Sequence, residues 1–277
     1  MNPHVLSTLV IIAHWTVIVA LSLRVVMRRA PVGISLAWLA VVFSVPFVGA
    51  GLYLALGEKR LGRRRAARIA ALLPLTRRRR EALRRRCPWV EPSPAPAGAG
   101  LRRQADNVLG AVPTASNQLR LLPEYETAFD SIIADLDVAQ HACDLEFYIW
   151  HDAGRVVDVA DALVRAAGRG VACRVTVDAM GSKAFLRGSR VRALREAGVR
   201  VIPSLPVGPV RALFVRTDLR NHRKILVIDD RIAYAGSLNL VDPRYFKQEA
   251  GVGEWVDAMV RVEGPAAEAL GDTFDID

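Results

Sequence analysis

At 277 residues the chain has room for one domain of ordinary size and some additional segments. Hydrophobic residues make up 52% and mean hydropathy is +0.21, high for a purely soluble protein, yet the formal net charge is +10. An apolar part and a strongly basic part therefore share the chain, which favours an anionic membrane surface or a nucleic acid as surroundings. Cys87, Cys143 and Cys173 are odd in number and widely spaced, which argues against a disulfide framework or a zinc site and for buried reduced thiols at Cys143 and Cys173.

Residues 5–23 carry no formal charge apart from a protonatable His14, and residues 32–56 carry none. Each run is long enough to cross a hydrocarbon core of about 30 Å as a helix. Pro46 and Gly49 to Gly51 predict a kink in the second. A signal peptide is the competing reading of the first run, against the missing basic n-region and cleavage site. His14 reads as an interhelical hydrogen-bonding residue before a functional one. Arg24, Arg28 and Arg29 lie between the two runs, whereas a heavier basic stretch follows the second. The positive-inside rule then puts the N-terminus and the long C-terminal part in the cytoplasm. A shallow hairpin is the alternative.

The basic stretch holds Lys59, Arg60, Arg63 to Arg65, Arg68, Arg77 to Arg80 and Arg84 to Arg86. It reads as a solvated, membrane-flanking helix or as a collar that captures anionic headgroups, each basic residue near the surface contributing about 1 kcal/mol. Attachment to two apolar runs points to headgroups before nucleic acid. Residues 87–100 are rich in Pro, Ala and Gly and read as a semi-rigid linker. The expected partition is a transmembrane hairpin over 1–57, collar and linker over 58–104, and a folded domain over 105–277.

Within that domain, Asp144 to Trp150 and Val171 to Asp178 are strand candidates flanking a helix with Val156, Ala160, Leu163, Val164 and Ala167 on one face. A helix over 187–197 and a strand over 199–202 follow. Lys224 to Asp229 and Ile232 to Ala235 read as strands about a turn at Asp229 to Arg231; Val256 to Val262 reads as a further strand and Pro265 to Phe274 as a helix. Strands interleaved with amphipathic helices predict a layered α/β sheet.

The chemistry concentrates in His222-x-Lys224-x4-Asp229-x6-Gly236-Ser237-x-Asn239. Displacement at a phosphodiester requires a nucleophile, positive charge at the non-bridging oxygens, and a proton donor for the leaving alkoxide. On an extended strand His222 and Lys224 would share a face and address one phosphate. Gly236 allows close backbone approach, and Ser237 and Asn239 offer hydrogen bonds. Taken alone, His-x-Lys is no more than a basic edge before a buried strand; the added Asp and Gly-Ser-x-Asn raise it to a catalytic constellation.

These residues resemble the phospholipase D superfamily, defined by His-x-Lys-x4-Asp with Gly-Ser-x-Asn downstream. The likeness extends to bacterial cardiolipin synthases with two membrane helices, through residues 35–66, LEFYIW, DAMGS, residues 218–248 and WVDAMVRVEGP. It implies an α/β phospholipase D-like domain, a central mixed sheet flanked by helices, preceded by two transmembrane helices, in a multi-pass protein of the bacterial inner membrane. His222 would attack the phosphorus of phosphatidylglycerol to form a phosphohistidine. Lys224 and Asn239 would hold the phosphate with help from Ser237, and Asp229 would complete the catalytic motif chiefly by supporting its structure.

Asp257 would either orient the His222 imidazole or serve as a strand-end carboxylate. Glu146 and Asp178 read as structural before cleft-lining. Neither metal nor cofactor is implied.

Sites of this superfamily use two such motifs, one histidine attacking and the other protonating the leaving group. The 277 residues hold one, since His4, His14, His141 and His151 lack matching neighbours. The other half is expected from a separate second half or from a homodimer with an isologous interface. A single-motif phosphodiesterase acting as a homodimer, and a catalytically incomplete lipid-binding half, are the competing readings.

Overall fold

The computed structural model describes residues 3–28, 30–45, 47–57, 63–87, 100, 103–104, 114–206, 220–251 and 253–276. Pro46, Lys59, Arg60, most of the 87–100 linker and the start of the 105–277 domain lie outside them. The chain divides into two compact units, with the described residues up to 65 in the first and those of 66–206 and 220–276 in the second.

In the first unit, α1 (Pro3–Met27) is a 25-residue helix, about 37 Å long at 1.5 Å per residue. It is long and apolar enough to cross a membrane. The second apolar run departs from the expected single span. It comprises α2 (Val32–Ser44), α3 (Val48–Leu52) and a π-helical turn over Tyr53–Gly57. The break falls beside Phe47, whose φ of 59° departs from helical backbone, although the Gly49 N–H still reaches the Val45 carbonyl across it at 2.6 Å. Ile18, Leu21 and Val25 of α1 cluster with Val42, Ala50 and Tyr53, while the remaining large apolar side chains of α1 and α2 are mostly exposed.

All but the first three residues of α4 (Arg63–Arg86) belong to the second unit, followed by β1 (Gln118–Leu122), α5 (Tyr125–Asp137), β2 (Ala142–Phe147), α6 (Arg155–Gly168) and β3 (Ala172–Asp178). Then come α7 (Lys183–Arg187), α8 (Ser189–Glu196), β4 (Arg200–Ser204), β5 (Ile225–Ile228), β6 (Ile232–Gly236), β7 (Met259–Glu263) and α9 (Pro265–Ile276). The strands form one sheet in the order β1-β7-β6-β5-β2-β3-β4. β2, β3 and β4 run parallel; the other neighbours are antiparallel, so the sheet is mixed as expected.

Helices cover both faces. Every residue of β5 is buried, because Leu226 and Ile228 face the main core with α5 and α6, while Ile225 and Val227 join Ala233 and Ala267 against α9. β1 and α5 lie in a stretch where the sequence suggested no element; the helix expected over 187–197 is present as α8, preceded across Gly188 by the short α7 that was not expected.

The basic helix is not wholly solvated. Thr76 and Leu83 of α4 are buried, and Arg79 and Arg86 on the same face reach α9. Arg79 pairs with Asp272 and Asp275, and Arg86 grips Glu268 through two 2.8 Å contacts. Glu268, Asp272 and Asp275 recur at helical spacing, so α9 presents an acidic stripe to two arginines one heptad apart.

Candidate active site

Antiparallel pairing of β5 with β2 brings the N-terminal end of β5 beside the C-terminal end of β2, with Ile225 opposite Glu146. The C-terminal ends of β3, β4 and β6 and the N-terminal end of β7 fall on the same edge of the sheet. His222, Lys224, Ser237, Asn239 and Asp257 all lie in the segments that leave or enter the strands there.

His222 and Lys224 do not lie on a strand. The β5 ladder begins at Ile225, and residues 220–224 are irregular. Asn221 causes the bend: its Oδ1 accepts the Arg223 N–H at 3.1 Å, a local turn that competes with extended backbone. Its amide nitrogen donates to Glu146 on β2, so the turn is tied to the sheet. Lys224 Nζ bends back to donate to the His222 carbonyl at 2.7 Å, which still leaves imidazole and ammonium in one small region.

Burial lowers the pKa of Lys224, and the nearby Asp257 carboxylate pulls it partly back up. A partly desolvated ammonium attracts a phosphate oxygen more strongly than one in bulk water. Asp257 thus acts electrostatically on Lys224. It lies ahead of β7, which begins at Met259 rather than Val256.

Tyr148 and Ile149, consecutive residues past the end of β2, touch two of the expected site residues. The Tyr148 ring stacks on the His222 imidazole, with centroids 4.1 Å apart and planes 19° from parallel. The Ile149 N–H donates to Asn239 Oδ1 at 3.0 Å, which orients the buried Asn239 amide and leaves its nitrogen to donate elsewhere. Ser237 Oγ accepts the Ala258 N–H at 3.1 Å, so it stitches β6 to the approach of β7. Gly236 is needed at this point, since a Cβ there would sit 2.2 Å from the Ala258 carbonyl oxygen.

Asp229 is not brought to this edge. It lies at the other end of β5, where its carboxylate accepts N–H groups of His141 at 2.7 Å, Ala142 at 2.8 Å and Gln140 at 2.9 Å. Burial raises its pKa, but those three donors outweigh it and hold the carboxyl below its usual range. Asp178, 1% exposed, forms a buried pair with Arg220 at 2.6 Å and accepts the Met180 and Gly181 N–H groups.

Tyr148, Asn221 and Arg220 were not singled out from sequence, although each lies inside or beside a stretch that was. Among the described residues no grouping of three or more His, Cys, Asp or Glu converges as metal ligands. The site offers an exposed imidazole, a partly buried ammonium and an oriented amide, a set suited to a tetrahedral oxyanion.

Residues 132–258 match the family model described as "Cardiolipin synthase, PLD-like domain", and residues 15–58 the model described as "Phospholipase_D-nuclease N-terminal". Cardiolipin synthase A of Cronobacter sakazakii is 42% identical over 275 residues, covering 99% of this chain and 56% of the relative. The cardiolipin synthase A of Salmonella arizonae is 40% identical over 273 residues with the same coverage. The chain thus spans about half the length of these curated relatives, 56%. Among solved structures, NucT from Helicobacter pylori is similar at a TM-score of 0.42 and 17% identity, over 58% of this chain and 92% of that one. Residues 132–258, which hold β2 to β6 of the sheet, are thus similar to the phospholipase D-like domain of cardiolipin synthases.

Proposed function

We propose that the chain transfers a phosphatidyl group from one phosphatidylglycerol to another, through a phosphohistidine at His222. In the first step His222 attacks phosphorus and the bond to the departing glycerol oxygen breaks; that oxygen takes a proton and glycerol leaves. In the second step a hydroxyl of another phosphatidylglycerol gives up a proton, attacks phosphorus and displaces the imidazole. Lys224 meets the charge on the non-bridging oxygens, and Asn239 donates to them through its amide nitrogen. Ser237 and Asp257 hold the shape and charge around Lys224, and Asp229 anchors the strand that carries the motif.

The observation that carries this reading is the convergence of His222, Lys224 and the oriented Asn239 amide on one edge of the sheet. The proton donor for the leaving glycerol belongs to a second motif outside these 277 residues, in a separate half or a second copy of the chain. The partition into hairpin, collar with linker, and domain is part of the same reading. The apolar run after α1 would complete a multi-pass anchor, with the basic helix on the cytoplasmic side. Phosphatidylglycerol is the preferred substrate class because the site follows an apolar anchor and an arginine-rich helix.

The test incubates purified protein with phosphatidylglycerol vesicles and, separately, with DNA, and follows cardiolipin, glycerol and DNA fragments. Cardiolipin with glycerol, lost in His222→Ala, supports the proposal. DNA cleavage without cardiolipin overturns it.

A further inference from the structure

His222 sits in an irregular segment outside every strand ladder, and its side chain is exposed. Neither ring nitrogen has a hydrogen bond among the described residues. A nucleophile held so loosely would sample many ring orientations, and only those with the attacking nitrogen aimed at phosphorus are productive. The stack on Tyr148 at 4.1 Å and 19° is the contact that defines its plane. The same ring lies 5.9 Å from Lys224 Nζ, within reach of a cation–π attraction. One aromatic ring therefore borders both groups.

Tyr148 is in turn held from behind. Its carbonyl accepts the Ser182 hydroxyl at 3.1 Å, and the same hydroxyl oxygen accepts the Trp150 N–H at 2.9 Å. Gly181 packs so closely that a Cβ would fall 2.4 Å from the Tyr148 carbonyl oxygen and 3.1 Å from its ring. This 178–182 loop is fastened by Asp178, whose Oδ1 accepts the Met180 and Gly181 N–H groups at 2.9 Å each. That oxygen also takes the Arg220 guanidinium, at 2.6 Å from Nη2 and 3.2 Å from Nε, two residues before His222. The platform and the approach to the histidine thus hang on one buried carboxylate.

We propose that Tyr148 is a positioning residue whose ring fixes the plane of the His222 imidazole for attack, with the Asp178–Ser182 loop as its clamp. The proposal rests on the reading of His222 as nucleophile, and its test separates the two. Histidine-labelled protein in detergent micelles gives ring-proton resonances, with that of His222 identified by its loss in His222→Ala. A stacked tyrosine shields these protons, so they lie upfield in the wild type and in Tyr148→Phe and move downfield in Tyr148→Leu. On phosphatidylglycerol vesicles, Tyr148→Leu lowers kcat on the order of 10–100-fold with KM nearly unchanged, and Tyr148→Phe restores it. Gly181→Ala, which leaves the tyrosine in place but crowds it, gives an intermediate loss.

His222 resonances at the same position in wild type and Tyr148→Leu overturn the proposal, whatever the activity. So does a kcat that falls equally in the Phe and Leu variants. A wild-type protein that shows the upfield resonance but forms no adduct on His222 sinks the phosphohistidine reading, and the positioning role falls with it.

Discussion

Arg79 Nη1 on the basic helix lies 3.4 Å from the carboxylate of Asp272, a residue only 2% exposed. Burial raises the pKa of Asp272, and Arg79 offsets only part of that rise. Removing the guanidinium leaves a buried carboxylate uncompensated, but Arg79 itself is 46% exposed and solvent screens the pair. Arg79→Ala is therefore expected to destabilise the domain by about 1 kcal/mol at neutral pH. The difference from wild type should shrink as the pH falls and Asp272, whose pKa lies above its usual range, takes up its proton. Chemical unfolding at several pH values measures this.

Asp229 gives a pH-dependent prediction by another route. Its folded pKa is depressed, so its contribution to stability is full above the unfolded carboxylate value and is lost as pH falls through the folded one. Asp229→Asn keeps one acceptor oxygen but loses the charge, at an expected cost of about 1.5–3 kcal/mol near pH 7. The variant's stability should fall less steeply than that of wild type below about pH 4. Thermal melts between pH 3 and 7 distinguish this anchoring role from a catalytic one, because a purely catalytic carboxylate leaves the melting curve unmoved.

Lys224 carries a prediction about charge. Burial lowers its pKa and Asp257 raises it, so Asp257→Asn should lower it further. The variant amine should react with acylating reagents at lower pH than in wild type. Mass mapping of Lys224 against the exposed Lys247 reads this directly. An unchanged profile rejects the coupling.

At the end of β6, Gly236→Ala should cost about 1–3 kcal/mol from overpacking against the Ala258 carbonyl. Backbone amides of β6 and β7 should then exchange faster, as hydrogen exchange can measure, while those of β3 and β4 stay protected.

Much of the domain was legible because its strands are short apolar runs and its helices show one apolar face. Ile225 to Ile228 and the α6 face through Val156, Ala160 and Leu163 are such signals. β1 was not. Leu119 and Leu121 look like core residues but are 70% and 63% exposed on a sheet edge, and their strand partner lies some 140 residues away, at Val260 and Val262. Hydrophobicity does not encode that pairing. α5 does carry a readable face in Ala128, Phe129, Ile132 and Leu136.

The motif residues were legible as chemistry but not as geometry. A period of two placed His222 and Lys224 on a strand; the Asn221 turn overrides it with a side-chain hydrogen bond that propensity cannot foresee. Tyr148 reads as an ordinary strand-end aromatic until the 178–182 loop is seen behind it. The acidic partners of the basic helix were visible as charges, and only folding brought them opposite Arg79 and Arg86.

The separation of Lys224 from Asp229 is filled by the four residues of β5, with the ammonium beyond one end and the three-donor anchor beyond the other. The motif's fixed spacing is thus a ruler cut to the width of the sheet. Adding or deleting one residue between 225 and 228 would displace one end by about 3.3 Å and turn the intervening side chains to the opposite faces. Substitutions inside β5 that keep its volume can be absorbed; a change in its length cannot.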